Sequence, residues 1–244
     1  MQLKRRVALV TGGAVRVGRA IAEGLAGRGA HVAISYRTSR KQADEAVAAF
    51  RRRGVRAIAV RADLSKVDDA KRLVATVIKE FGRLDVLVNS ASVFERLPIE
   101  KITEAAWDRH LETNLKGPAF LSLFAAREMK RHVGGKIINI TDWAGERPYT
   151  DYLPYCISKA GLIALTKALA KELAPTIQVI AIAPGPILAP PDMTREERER
   201  VLKRVPLQRW GEPRDIANAV LFAVEGTDFM TGSTIYVDGG RMIA

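Results

Sequence analysis

The chain has 244 residues, 48% of them hydrophobic, and a formal net charge of +12 at pH 7, enough to bury the core of one α/β domain without a second. Its basic residues are interleaved with acidic ones, as in RKQADEAVAAFRRRG and MTREERERVLKRV, so they read as solvated helix faces, and no basic tail or aromatic-basic stripe points to nucleic acid. With no membrane-length apolar stretch, no signal peptide, a lone Cys156 and no His/Cys cluster, the sequence predicts a cytoplasmic protein with no membrane partner, no disulfide and no metal.

In chain order, strands are expected at 7–11, 31–36, 56–62, 84–89, 136–141, 177–183 and 234–237, with helices near 18–28, 39–53, 66–81, 100–132, 152–173 and 213–225. This alternation predicts an α/β fold, a doubly wound, Rossmann-type parallel seven-stranded sheet with helices on both faces, in a single domain over 1–244. Ser65 with Asp68 reads as a capping box for the third helix, and Gly54, Gly82 and Gly134–Gly135 punctuate helix ends. His31, His110 and His132 read as surface or strand-edge residues, and Cys156 as helix packing. The segment 185–206 carries four prolines and a charged helix, a length that suits a lid over a binding site.

The chemistry begins at the first turn. After the apolar run Val7 to Val10 comes TGGAVRVG, Thr11 to Gly18, and then a helical period with Ile21 and Leu25 facing inwards. Glycines at 12, 13 and 18 allow backbone N–H groups to approach a pyrophosphate at a helix N-terminus, although an ordinary βα turn has the same look. At the end of the second strand, where an NAD site places an acid, ISYRTS offers Tyr36, Arg37, Thr38 and Ser39. A carboxylate there would repel a 2′-phosphate, whereas Arg37 beside a hydroxyl would hold it, so NADPH is the expected cofactor.

Tyr155 and Lys159 stand four residues apart in DYLPYCISKAGL, with Asp142 thirteen residues before the tyrosine. On a helix that spacing puts phenol and ammonium on one face, where the positive charge stabilises phenolate and brings the tyrosine pKa towards neutrality. Such a phenol is a proton donor that works near pH 7.

Taken together, TGGAVRVG, NSAS at Asn89 to Ser92, TNLKG around Asn114, the Tyr155–Lys159 pair, APGPI at Ala183 to Ile187 and YVDGG near the C-terminus resemble the short-chain dehydrogenase/reductase family over essentially the whole chain. The resemblance implies a catalytic set of Asn114, Tyr155 and Lys159 joined by the residue at 142. It implies a cofactor site of Gly12, Arg16, Val17, Gly18, Tyr36, Arg37, Thr38, Ser39, Asp63, Leu64, Asn89, Ser90, Ala91, Tyr155, Lys159, Pro184, Gly185 and Ile187. Asp63 in ADLS matches an aspartate expected near the adenine, and Asn89 an asparagine that stabilises the end of the fourth strand. Asn114 is expected to bend its helix so that water links Lys159 to solvent. A homotetramer is also implied, with the long fifth helix region and the C-terminal YVDGGRMIA at its interfaces.

Three departures narrow the resemblance. Arg16 stands where the family usually has a loop glycine, Asp142 replaces the usual serine, and Phe94 lies just after NSAS. This trio resembles pteridine reductases and the related bacterial dihydropteridine reductases, which implies a substrate site of Arg16, Phe94, Asp142 and Tyr155. Chemistry agrees: a ketone becoming an alkoxide wants a donor, which serine supplies and an ionised aspartate cannot, whereas a pteridine presents amino and ring N–H donors to an acceptor carboxylate. A flat, electron-poor ring also suits a sandwich against Phe94. The same residues admit a structural reading, with Asp142 capping a turn, Phe94 in the core and Arg16 in solvent. Other expectations for the chain are a 3-oxoacyl-carrier-protein reductase, whose acidic carrier would suit the basic surface, and a non-catalytic NADP-binding sensor.

Overall fold

Side chains in the strands alternate between two apolar layers, and this decides the architecture. The computed structural model describes residues 1–189 and 193–244. In β1 (Val7–Val10) Ala8 and Val10 join one buried cluster while Val7 and Leu9 join the other. The same division separates Val86 and Val88 from Leu87 in β4 (Val86–Asn89), and Ile180 and Ile182 from Val179 in β6 (Ile177–Pro184). A sheet apolar on both sides must be covered on both sides. Helices α1 (Arg16–Gly27), α2 (Arg40–Arg52) and α8 (Pro213–Leu221) cover the first layer with Ile21, Leu25, Phe50 and Ile216. Helices α3 (Val67–Phe81), α5 (Gly117–Lys130) and α6 (Leu153–Leu173) cover the second with Leu73, Leu121, Met129 and Leu173.

With β2 (His31–Tyr36), β3 (Ala57–Arg61), β5 (Gly135–Ile140) and β7 (Thr234–Val237), the strands form a seven-stranded sheet in the order β3-β2-β1-β4-β5-β6-β7, every pairing parallel. The order reverses between β1 and β4, so the crevice where ligands bind in such sheets opens at their C-terminal ends. The expected fold, strands and sidedness therefore hold, with strand ends displaced by at most two residues.

Four local expectations are corrected. The helix expected over 100–132 is interrupted: a 3-10 turn (Ile99–Lys101) gives way to α4 (Glu104–Leu111), a π-helical turn (Glu112–Lys116) and then α5. Thr103 caps α4 by accepting from the Ala106 N–H at 3.2 Å, and a Cβ on Gly117 would lie 2.3 Å from the Leu64 carbonyl, so α5 needs that glycine to pass. The Ser65–Asp68 capping box does not form. Ser65 instead donates its N–H and hydroxyl to Oδ1 of Asp63 at 3.1 and 2.8 Å, a local turn that competes with capping. Capping boxes occur elsewhere, at Thr194–Glu197 ahead of α7 (Arg195–Lys203) and Glu212–Asp215 ahead of α8. Finally, the helix expected over 213–225 ends as a π-helical turn (Phe222–Gly226), and His110 is fully buried on α4 rather than at a surface.

Candidate active site

The first turn is built to receive an anion. Gly12 has φ +63, and a Cβ on Gly18 would sit 2.4 Å from the Gly12 carbonyl, so both glycines are required by geometry. Thr11 Oγ1 accepts from the N–H groups of Ser90 and Ala91 at 2.9 and 3.0 Å, which ties this turn to the end of β4. Helix α1 begins without a side-chain cap and without an acid in its first turn, leaving N–H groups and the positive end of its dipole open to an anion. Arg16 adopts φ +54, the left-handed conformation that a glycine would take easily. Both Arg16 and Arg37 are exposed, and among the described residues neither forms an ion pair.

Asp63 is held by Ser65 as described, and its N–H donates to Oδ2 of Asp69 at 2.8 Å. Asn89 donates to Ser122 Oγ at 3.1 Å and Asn139 Oδ1 at 2.8 Å, and Asn139 donates to Thr166 at 2.9 Å, so a buried polar chain fixes the ends of β4 and β5. Pro184 closes β6, Ile187 is buried, and a Cβ on Gly185 would meet Asp238 at 2.5 Å. Apart from Arg16, Val17 and Gly18 at the start of α1 and Tyr155 and Lys159 on α6, the residues expected for a cofactor lie at the C-terminal ends of the strands or in the turns that leave them.

At the centre of that edge the Tyr155 hydroxyl donates to Oδ2 of Asp142 at 2.6 Å, and Lys159 Nζ donates to the Ile140 carbonyl at 2.9 Å. Helix α6 supplies the tyrosine and lysine, both buried, and the turn after β5 supplies the aspartate. Asn114 sits in the π-helical turn, and its amide binds both polar groups of Val93, at 2.7 and 2.9 Å, and Ser158 Oγ at 3.1 Å. Asp142 also caps: its Oδ1 accepts from the Ala144 N–H at 2.8 Å, so the structural role and the place beside Tyr155 coexist in one side chain.

The expected pKa of Tyr155 is corrected by this geometry. Burial and the adjacent Asp142 push the phenol well above its ordinary value. The Lys159 nitrogen, 5.6 Å from the ring centroid and bonded to a carbonyl of β5, does not counter them. Burial holds Lys159 down at about 8. Burial also raises Asp142, against hydrogen bonds from Tyr155, Ala144 and Tyr149 and the charge of Lys159.

Phe94 is not core: it is 43% exposed. One face stacks on Tyr152 with centroids 4.5 Å apart, and its ring meets Tyr155 edge-on at 4.7 Å. This wall is strapped to the start of α6, because Leu97 pairs with Tyr152 as a parallel bridge and its N–H donates to the Asp151 carbonyl at 2.6 Å. Arg16 stands apart, with no hydrogen bond or ring contact to Phe94, Asp142 or Tyr155 among the described residues. Of the lid expected over 185–206, residues 190–192 lie outside the described ones; α7 forms the charged helix, and Arg96 reaches both Asp151 at 3.1 Å and Glu197 at 3.5 Å.

Sequence reasoning missed Tyr149, Tyr152, Trp143 and Asn139. A signal for the first two was present, since tyrosines recur every third residue at 149, 152 and 155. Trp143 Nε1 donates to the Tyr149 hydroxyl, which lies 3.3 Å from Oδ1 of Asp142.

A family profile described as enoyl-(acyl carrier protein) reductase matches residues 13–241. The chain is 38% identical over 239 residues to the 3-oxoacyl-(acyl-carrier-protein) reductase FabG of Staphylococcus epidermidis, covering 96% of this chain and 97% of that one. It is 37% identical over 245 residues to human dehydrogenase/reductase SDR family member 4, covering 98% and 88% of the two. Among solved structures it superposes with a TM-score of 0.93 on FolM alternative dihydrofolate reductase 1 from Brucella canis complexed with NADP, at 34% identity and over 100% and 96% of the chains.

Proposed function

Because the chain belongs to the short-chain dehydrogenase/reductase family of oxidoreductases, we propose that it is an NADPH-dependent reductase acting on a pteridine, a dihydropterin or dihydrofolate-like molecule. The observation that carries the substrate class is the 2.6 Å bond from Tyr155 to Asp142. The position beside the proton donor is an acceptor, suited to a substrate rich in N–H groups and unsuited to a developing alkoxide. The exposed face of Phe94, backed by Tyr152, offers a wall for a flat ring.

The cofactor assignment rests on Arg37, exposed and with no ion pair among the described residues, where an acid would select NADH, and the related FolM structure was solved with NADP. In this reading the α1 N-terminus with Gly12, Arg16, Val17 and Gly18 holds the pyrophosphate. Tyr36, Arg37, Thr38 and Ser39 take the phosphorylated ribose, and Asp63 and Leu64 take the adenine. Asn89, Ser90 and Ala91 with Pro184, Gly185 and Ile187 frame the nicotinamide half. NADPH supplies a hydride. Tyr155 gives the proton to the ring nitrogen beside the reduced carbon, Asp142 accepts substrate N–H groups, Lys159 holds ribose hydroxyls, and Asn114 keeps Val93 and Ser158 in register behind them.

The test is NADPH oxidation with dihydrobiopterin, dihydrofolate and an acetoacetyl thioester side by side. Turnover of a dihydropterin supports the assignment. The 38% identical carrier-protein reductase favours a second reading, and reduction of the thioester with no dihydropterin turnover would replace the first reading with it. Cofactor binding with no turnover of any of the three would point to a sensor. A homotetramer belongs to the same proposal: Phe120 and Leu123 on α5 and Leu153 and Ile157 on α6 are exposed apolar residues on the helix region expected at an interface. Light scattering at a single-subunit mass would remove it.

A further inference from the structure

A second phenol lies on the same carboxylate. Oδ1 of Asp142 receives the Ala144 N–H at 2.8 Å and faces the Tyr149 hydroxyl at 3.3 Å, while Oδ2 receives Tyr155 at 2.6 Å. The hydrogen of Tyr149 is not free to turn elsewhere. An indole N–H can only donate, so Trp143 Nε1 occupies a lone pair of the Tyr149 oxygen and directs the phenolic hydrogen onto Asp142. Trp143 is itself clamped: it is 4% exposed, its ring meets Tyr149 edge-on at 5.2 Å, and the Arg241 guanidinium lies 4.7 Å from its centroid. Tyr149 also makes edge contacts with Phe94 at 6.5 Å and Tyr152 at 5.8 Å. One ring therefore touches both the wall of the site and its carboxylate.

We infer that Tyr149, oriented by Trp143, is a positioning residue that, with the Ala144 N–H, saturates Oδ1 of Asp142 and so directs both the Tyr155 hydroxyl and an incoming substrate N–H to the two lone pairs of Oδ2. The inference rests on the reading above that Tyr155 and Asp142 serve proton transfer. The groups facing Asp142 are Tyr155, Cys156 and Lys159 from α6 and Tyr149 and the Ala144 N–H from its own turn, with Arg241 behind Trp143. Burial raises this carboxyl and the Tyr149 hydrogen bond opposes the rise, so removing the hydroxyl lets it rise further.

Y149F keeps the ring and its packing, and W143F removes the donor that orients it. Two readouts are needed. The first is the titration of the Asp142 carboxyl carbon by NMR, assigned by its loss in D142N, which requires no substrate. Its midpoint should move to higher pH in Y149F, and in the same direction in W143F. The second is kcat against pH on whichever of the pterin or thioester the parent reduces. Y149F should lower kcat about ten-fold, as loss of a hydrogen bond to a charged group does, and move the acidic limb upwards, with NADPH affinity unchanged within about two-fold. In a D142N background Y149F should add almost nothing, because the two act as one unit. An unmoved Asp142 midpoint, or the same loss of kcat with and without the D142N change, would overturn the inference. Full turnover in Y155F would instead sink the reading of the catalytic pair.

Discussion

Lys159 and Tyr155 share a helix face, yet the lysine nitrogen bonds to the Ile140 carbonyl at 2.9 Å and stays 5.6 Å from the tyrosine ring centroid. The ammonium is buried among groups that do not compensate it fully, which places its pKa at about 8. Activity that needs the charge should fall as pH rises through about 8. Stability runs the other way: the unfolded chain binds the extra proton up to about pH 10.4, so the penalty is full below pH 8 and fades between there and pH 10.4. Lys159→Arg, charged throughout, should remove the alkaline limb of the pH–kcat profile even if its level drops. An unchanged limb in that variant would assign it to another group.

Tyr155→Phe removes one oxygen and little volume, so folding and NADPH binding should survive. Turnover should fall roughly a hundred-fold or more, in the range of lost general acid catalysis. Steady-state NADPH oxidation and a cofactor fluorescence titration separate the two effects; loss of both together would mean a structural failure.

Arg37 directly follows β2, is exposed, and forms no ion pair among the described residues. The protein should prefer NADPH to NADH at least ten-fold, about 1.4 kcal/mol, and Arg37→Glu should narrow or reverse the gap. Equal affinities for the parent in binding titrations would remove Arg37 from the 2′-phosphate site.

Asp142→Ser should depress dihydropterin turnover while raising that of a simple ketone relative to it, because a hydroxyl can donate to an alkoxide. Phe94→Ala should weaken pterin binding by about 1–2 kcal/mol through lost stacking and burial. Measuring kcat/KM for a dihydropterin and an acetoacetyl thioester tells these apart from general destabilisation, which lowers both rates alike.

The sheet was legible because its signal is periodic. Val7 to Val10, Val86 to Val88 and Ile180 to Ile182 are apolar on both sides, and only a sandwiched parallel sheet buries such runs. The place of Asp142, Tyr155, Lys159 and Phe94 along one edge was legible because each follows a strand end or shares a helix turn. What was not legible depends on competition between neighbours. Ser65 could bond to Asp68 or to Asp63, and the chain's path selects Asp63. The lysine on one face with Tyr155 could stabilise phenolate or reach a carbonyl, and the proximity of β5 settles the choice. His110 looks like any polar helix residue until α6 packs over α4.

The bridge between Leu97 and Tyr152 has a consequence for the wall of the site. Phe94 lies three residues before Leu97, its ring is backed by Tyr152, and the Leu97 N–H is bonded to Asp151 just before α6. The Phe94 ring is thus backed by Tyr152 and anchored through the Leu97 N–H to the start of α6. If the site takes the flat ring proposed above, that ring would lie on the exposed face of Phe94 against a wall held at both ends, by Tyr152 behind it and by the Leu97–Asp151 bond at its foot.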